Sequence, residues 1–282
     1  MARLVGCFAA SHGPLIARDW DKLPPAVRDR FSADFIELGK RVAAVKPDVI
    51  IAVTPDHWVN FFINNLPSVC IGVGEASDGP PEPFLSDFPW KEVPSHPGLG
   101  RHILDIALGS DFEPSLSHRL KLDHGVCIPL WWMELPELPR VLPIIVNDLE
   151  PPMPSIRRCF AWGRLIARAI ATYPENLRVA ILATGGLSHS IGEATMGAID
   201  EPFDHECIKL FKAGDEAKLT AYLDRALLKT GNGAHEVRNW VVAHAAAGGR
   251  GFDLIDYVPV PEVYVGCGYA SWTVAAEQKQ AA

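Results

Sequence analysis

The stretch Leu4–Pro14, LVGCFAASHGP, is an apolar run of strand length that stops abruptly at Ser11-His12-Gly13-Pro14. A Gly-Pro pair cannot continue extended pairing, so the run reads as a buried strand with His12 at its mouth. The pattern returns in Asp48–His57, DVIIAVTPDH, where a β-branched apolar run gives way to Pro55-Asp56 and then His57. Taken as neighbours in a parallel sheet, the two strands would turn both imidazoles toward the crevice outside their carboxyl ends, where open α/β folds bind ligands. That crevice is where a metal would be held. A single histidine at a strand end can simply cap the strand or bond a loop; its recurrence at a second strand favours a shared site.

Between the two strands, Val27, Phe31, Phe35, Leu38, Val42 and Val45 recur at three- and four-residue steps, opened by Pro24-Pro25 and closed by Lys46-Pro47. This predicts an amphipathic helix, and a strand-helix-strand crossover is what parallel strands require. Further along, Val69–Val73 and Arg140–Val146 read as buried strands, Gly98–Leu108 as a helix, and Ser155 as the N-cap of a helix over Ile156–Ile170. The run after Asp123-His124-Gly125 fits helix or strand. Leu177–Thr184, LRVAILAT, is another buried strand, and it ends in Gly185-Gly186-Leu187-Ser188-His189, so a third histidine stands just past a strand end. Asp215–Leu228 and a segment starting near His235 and ending at Gly248-Gly249 read as helices. The predicted fold is α/β: a single domain over residues 1–282 with a central, mostly parallel β-sheet flanked by helices and its site at the strand C-terminal ends. A proline-rich loop at about 79–97 lies over or beside the site.

The bulk composition narrows the function. The formal net charge is -8 with charged residues at 21 % of the chain and both signs interspersed, so there is neither a basic stripe for nucleic acid nor a cationic helix for a membrane surface. The six cysteines are scattered singly, without a C-x-x-C pair, which argues against a zinc ribbon or disulfide framework and suits a reducing cytoplasm. No apolar run approaches the ~18 residues of a spanning helix. Small molecules are the expected partners.

Glu236 falls in the first turn of the helix near His235, where the positive end of the helix dipole favours an ionised carboxylate. His235-Glu236 is not the start of a zincin motif, because the second ligand would fall at Asn239. Gly72-x-Gly74 is not a dinucleotide loop, because the prolines after it preclude the required helix. His12, His57 and Glu236 together make a two-histidine, one-carboxylate set of the kind that leaves positions open on iron(II), although it also suits zinc. His124 and His189 remain for proton transfer.

With these residues in view, the sequence resembles the LigB-like, or class III, extradiol ring-cleaving dioxygenases, particularly the catalytic subunit of protocatechuate 4,5-dioxygenase and gallate-cleaving relatives. Ser11-His12-Gly13-Pro14, Asp56-His57, Ser95-His96-Pro97, Asp123-His124-Gly125, Thr184-Gly185-Gly186-Leu187-Ser188-His189 and Gly233-Ala234-His235-Glu236 occur in the family's order over about Leu4–Trp272. The resemblance implies Fe(2+) held by His12, His57 and Glu236, with His189 as acid/base and His124 touching substrate or dioxygen. It implies insertion of both atoms of O2 into an aromatic vicinal diol, with meta cleavage to a ring-opened semialdehyde. Because no extension follows Trp272, it also implies a homodimer or a separate small subunit.

Two other readings stand beside this one. Gly186-Leu187-Ser188-His189-Ser190 nearly spells the nucleophile elbow of a serine hydrolase using Ser188 and His189, but Ser190 replaces the final glycine. A non-enzymatic relative could use the same cleft for binding. Within the family reading, Tyr257-Val258-Pro259-Val260-Pro261-Glu262 replaces the polar residues that hold a ring carboxylate. Tyr257 and Glu262 are therefore expected to contact substrate, with Glu262 repelling a carboxylate and favouring a dihydroxypyridine or a neutral or basic catechol.

Overall fold

In the computed structural model, residues 1–274 are described; residues 275–282, the end of the expected domain, lie outside the described residues. In chain order the elements are β1 (Arg3–Ala10), α1 (Pro14–Arg18), α2 (Pro25–Ala44), β2 (Val49–Thr54), β3 (Val69–Gly72), β4 (Ala76–Asp78), β5 (Glu92–Pro94) and α3 (Pro97–Leu108). They continue with β6 (Ser115–Ser117), α4 (His124–Trp132), β7 (Arg140–Val146), α5 (Ile156–Thr172) and β8 (Arg178–Thr184). Last come α6 (Glu201–Ala213), α7 (Glu216–Ala226), α8 (Val237–Ala246), β9 (Phe252–Val260) and β10 (Val265–Trp272).

Eight strands form one sheet in the order β6-β3-β7-β2-β8-β1-β10-β9, and β4 and β5 form a separate antiparallel pair. The central β7, β2, β8 and β1 are mutually parallel, which is why they read as continuous apolar runs: both faces are covered by helices. Ile50 and Ala52 pack with Phe31, Phe35 and Leu38 of α2 and with Val126 and Leu130 of α4. The alternate residues Ile51 and Val53 face Ile103 of α3, Ile166 of α5 and Val241 of α8. This two-sided alternation along single strands makes the sheet the middle layer of a three-layer sandwich.

The expectation that β1 and β2 are neighbours is corrected. β8 lies between them, with Ile181 in register with Cys7 of β1 on one side and Ile51 of β2 on the other. The chain leaves the slot open after the first crossover and fills it from much later in the sequence, a strand-order reversal that opens a crevice at the carboxyl ends. The loops carrying His12, His57 and His189 therefore leave three adjacent strands on the same edge.

The ambiguous run after Asp123 is a helix, α4, whose N-cap Asp123 accepts a hydrogen bond from the Gly125 N–H. The helix read from His235 begins as a 3-10 turn over Asn232–Glu236, so Glu236 is the N-cap residue of α8 rather than a member of its first turn. The proline-rich loop is framed by β4 and β5, with Ala76 opposite Pro94. The helix α6 and the hairpin β9–β10 had no reading in the sequence. Ser155 caps α5 as expected, its hydroxyl accepting from the Arg158 N–H at 3.2 Å. Replacing this exposed cap, Ser155→Ala, is expected to lower unfolding stability by about 1 kcal/mol in denaturant titration while leaving activity unchanged.

Candidate metal centre

His12, His57, His124, His189 and Glu236 all line one cavity of ≈ 610 Å³ at the carboxyl edge of the sheet. His12 Nε2 lies 3.3 Å from His57 Nε2 and 3.7 Å from Glu236 Oε2, and His57 Nε2 lies 3.3 Å from Glu236 Oε1. Nitrogen and oxygen donors bound at about 2.1 Å and at right angles on one ion stand about 3 Å apart, so this triangle is the size that a single metal ion would close. His124 belongs to the same cluster: ligand atoms of His12, His57 and His124 all lie within 4.8 Å of one another. Its ring lies over that of His57, with centroids 4.0 Å apart. His189 Nε2 reaches to 3.7 Å from Glu236 Oε1.

Three of the four imidazoles, those of His57, His124 and His189, are oriented from behind, while His12 Nδ1 is buried without a hydrogen-bond partner. Asp123 Oδ2 accepts from His57 Nδ1 at 3.1 Å and from the His57 backbone N–H at 2.8 Å. Glu82, from the proline-rich loop, accepts from His124 Nδ1 at 2.9 Å and from its backbone N–H at 3.0 Å. The carbonyl of Leu187 accepts from His189 Nδ1 at 3.1 Å. With Nδ1 facing an acceptor in each case, Nε2 is the nitrogen turned to the cavity, and it offers a lone pair there whenever the ring is neutral. Asp123 and Glu82 were not anticipated as site residues. Asp123 is adjacent to a motif histidine and could have been suspected, whereas nothing in the sequence distinguishes Glu82 from other loop acids.

Glu236 is 2 % exposed, and its Oε2 accepts the Gly186 N–H at 2.6 Å. The loop that provides this contact is gripped by α8: Asn239 Nδ2 donates to the Thr184 carbonyl at 3.0 Å and Trp240 Nε1 to that of Gly185 at 2.9 Å. The glycines of the motifs make room for the reactive groups. Gly185 has φ +112°, and a Cβ there would stand 2.5 Å from Glu236 Oε2; a Cβ on Gly233 would stand 2.0 Å from His189 Nε2.

Electrostatics mark the same spot. Burial would raise the Glu236 carboxyl, but His12 and His189 beside it, with the His57 contact, hold it well below the usual carboxylate range. Burial depresses His57, yet Asp123 and Glu236 more than offset this and carry it up to about 10. His124 goes the other way, lowered to about 4 by burial and by His57 against the pull of Glu82. Burial also lowers His189. An imidazole held protonated between two buried carboxylates is a place where positive charge is required, and a divalent ion bound by neutral imidazoles and a carboxylate would replace that proton. The residues fit a metal.

Three expected residues stand elsewhere. Glu262 is exposed in a 3-10 turn and does not line the cavity; its neighbours Val263, Tyr264 and Val265 do. Tyr257 is also absent from the lining, and its hydroxyl donates to Asp204 at 2.6 Å. The reason is the β9–β10 hairpin: Tyr257 sits within β9, while the turn that reaches the site is the next one. Ser188 is 1 % exposed, donating from Oγ to Asp204 at 2.8 Å and accepting there from the Asp200 N–H at 2.8 Å. Its proton is directed at a carboxylate outside the cavity and not at His189, which removes the support for a nucleophile elbow. His96 caps α3 by accepting from the Leu99 N–H.

A three-layer α/β fold with histidines and a carboxylate converging on one cavity at the carboxyl edge of the sheet presents a candidate metal site. The chain belongs to the LigB family: residues 6–267 match the family described as the catalytic LigB subunit of aromatic ring-opening dioxygenase. It is similar to a 2,3-dihydroxyphenylpropionate/2,3-dihydroxicinnamic acid 1,2-dioxygenase of Paraburkholderia phymatum, at 30 % identity over 81 % of this chain and 85 % of that protein. It is also similar to the enzyme of that name, numbered 2, of Dechloromonas aromatica, at 26 % identity over 99 % of each chain. In fold it resembles an uncharacterised Escherichia coli K12 protein of known crystal structure, with a TM-score of 0.59, 16 % identity, and coverage of 95 % of this chain and 99 % of that one. The protein is thus an aromatic ring-cleaving dioxygenase of the LigB-like extradiol type. No helix among the described residues is long and apolar enough to cross a membrane.

Because Asp123 fixes the His57 tautomer, Asp123→Asn is expected to weaken divalent-metal affinity by roughly 10- to 100-fold, as loss of an orienting carboxylate generally does. Metal titration of the chelator-treated protein checks this; unchanged affinity would show that His57 is oriented by other contacts.

Proposed function

We propose that the protein is an iron(II)-dependent extradiol dioxygenase in which His12, His57 and Glu236 hold the metal. It would insert both atoms of O2 into a catechol-type or dihydroxypyridine-type vicinal diol. The observation that carries this reading is the 3.3–3.7 Å triangle of His12, His57 and Glu236 at the floor of the cavity. Glu236 is chosen over His124 as third ligand because a carboxylate offsets part of the ion's charge and the resulting set leaves three positions open. Ferrous iron held by these three residues would supply the redox chemistry that couples the diol to dioxygen.

The remaining roles fall to the chain. His189, with Nδ1 committed to the Leu187 carbonyl, presents an unprotonated Nε2 to the cavity and is placed to take a hydroxyl proton from the bound diol and return it. His124 is neutral at pH 7 by virtue of its lowered pKa. Its Nε2 can first accept the proton released by the second hydroxyl of the diol, giving an imidazolium that Glu82 holds at the opposite nitrogen, and can then hand that proton to an oxygen that becomes negative nearby. Leu15, Ile191, Met196, Val263 and Val265 give the cavity apolar walls against which an aromatic ring would rest. With Glu262 outside the cavity, its charge gives no reason to exclude a carboxylate-bearing ring, and the substrates in the relatives' names carry one. We further propose that the protein acts in the cytoplasm, as one catalytic domain, in a homodimer or with a small subunit.

His12→Ala, His57→Ala and Glu236→Ala are each expected to lose iron and turnover, whereas His189→Ala and His124→Ala should keep iron and lose about 10²- to 10⁴-fold in kcat. Iron analysis beside oxygen uptake distinguishes the two groups, and full iron content in any of the first three would remove that residue from the ligand set. Glu262→Gln should leave the ranking of kcat/KM among catechol, 3,4-dihydroxypyridine, protocatechuate and 2,3-dihydroxyphenylpropionate unaltered. A changed ranking would return Glu262 to the substrate site.

A further inference from the structure

His189 rides on the segment 185–200, which links β8 to α6 without a helix or strand of its own, yet its imidazole must be placed accurately over the cavity. The segment is held at the residue just before it. Asp204, fully buried on α6, accepts the Ser188 backbone N–H on Oδ1 at 2.8 Å, and on Oδ2 it accepts the Ser188 hydroxyl at 2.8 Å and the Tyr257 hydroxyl at 2.6 Å. The Asp200 N–H donates to Ser188 Oγ, so the hydroxyl proton has one direction left, toward Asp204.

The start of β10 grips the same residues from the other side. Leu187 donates its N–H to the Gly266 carbonyl at 2.7 Å, the Gly266 N–H donates to the Ser188 carbonyl at 2.9 Å, and His189 is bridged to Val265. Gly266 leaves no spare volume: a Cβ there would stand 2.1 Å from Asp204 Oδ2. Burying a carboxylate without a cation is costly, and three donors aimed at its two oxygens are the compensation. Burial accordingly lifts its pKa to about 6 against the pull of Tyr257 and Ser188. Asp204 lines no part of the cavity, so substrate contact does not account for this arrangement.

We propose that Asp204 is the positioning residue for His189, acting through both polar groups of Ser188 and itself locked by Tyr257. The proposal rests on the acid–base role given above to His189. Three separate elements, α6, β9 and β10, then converge on a single task, and the serine of the Gly-Gly-Leu-Ser-His motif acquires a function other than nucleophilic attack. Misplacing a reacting group by 1 Å can cost about 10²-fold in rate, which sets the scale of the expected effect.

Asp204→Asn keeps the shape but turns an amide N–H₂ toward groups that are themselves donors. In the iron-loaded enzyme it is expected to leave iron content and KM within about twofold of wild type and to lower kcat by roughly 10- to 100-fold. In the His189→Ala background the same substitution should change kcat by less than about twofold, because the group it positions is gone. Imidazole NMR of the metal-free protein should show the His189 Nδ1–H protected in the wild type and exchanging in Asp204→Asn. Tyr257→Phe should give a smaller loss with the same dependence on His189, and it carries the comparison if Asp204→Asn does not fold. Additive effects of the Asp204 and His189 substitutions, or loss only in proportion to folded protein, would overturn the proposal. If His189→Ala alone were fully active, the acid–base reading would fail instead, a result distinguishable from retained wild-type kcat in Asp204→Asn.

Discussion

A carboxylate with almost no access to water is the constraint around which this protein is built. Glu236 cannot be left unpaired in the interior, and the groups that surround it are imidazoles from His12, His57 and His189 together with one backbone N–H. A further carboxylate, Asp123, stands behind His57, so the negative charge is met by a proton on that ring or by a metal ion in the space the rings enclose. That charge balance is one that a dication held by neutral nitrogen and one acid would satisfy.

The fold makes the convergence possible by inserting β8 between β1 and β2. Parallel strands end on a common edge, so the two to five residues that follow Ala10, Thr54 and Thr184 suffice to bring His12, His57 and His189 to one cavity. The acid arrives from a fourth direction, at the start of α8, and α8 is tied to the β8 loop through Asn239 and Trp240. The same loop is glycine-rich because Glu236 occupies the volume a side chain would need at Gly185. Site and fold are therefore coupled at backbone level, and mobile surface groups contribute little to either.

Much of this was legible in the sequence because strand ends buried on both faces carry a plain signal: a β-branched run, a Gly or Pro stop, and a polar residue with nowhere else to go. His12, His57 and His189 were found that way, and the helices α2 and α5 were read from periodicity and caps. The order of the strands was not legible, since β8 takes its place through contacts with segments far away in the chain. The β9–β10 hairpin escaped notice because β9 is half-buried along most of its length and has no clean alternation. Without the hairpin the sequence does not place Tyr257 and Glu262, whose positions depend on which turn of it reaches the cavity. Asp204 and Glu82 carry no signal of their own for a related reason: the groups they bond, Ser188 and Tyr257 for the one and His124 for the other, are brought to them only by the fold.

The central claim is that the buried histidine–carboxylate cluster holds a metal at which both atoms of dioxygen enter an aromatic diol. The most direct measurement is mass analysis of the ring-opened product formed under ¹⁸O₂ by anaerobically purified protein, with its metal content determined on the same sample. About one ferrous ion per chain and two ¹⁸O atoms in the product are expected, allowing for exchange of the aldehyde oxygen with water. Ring cleavage by metal-free protein, or a product whose oxygen derives from water alone, would contradict that claim.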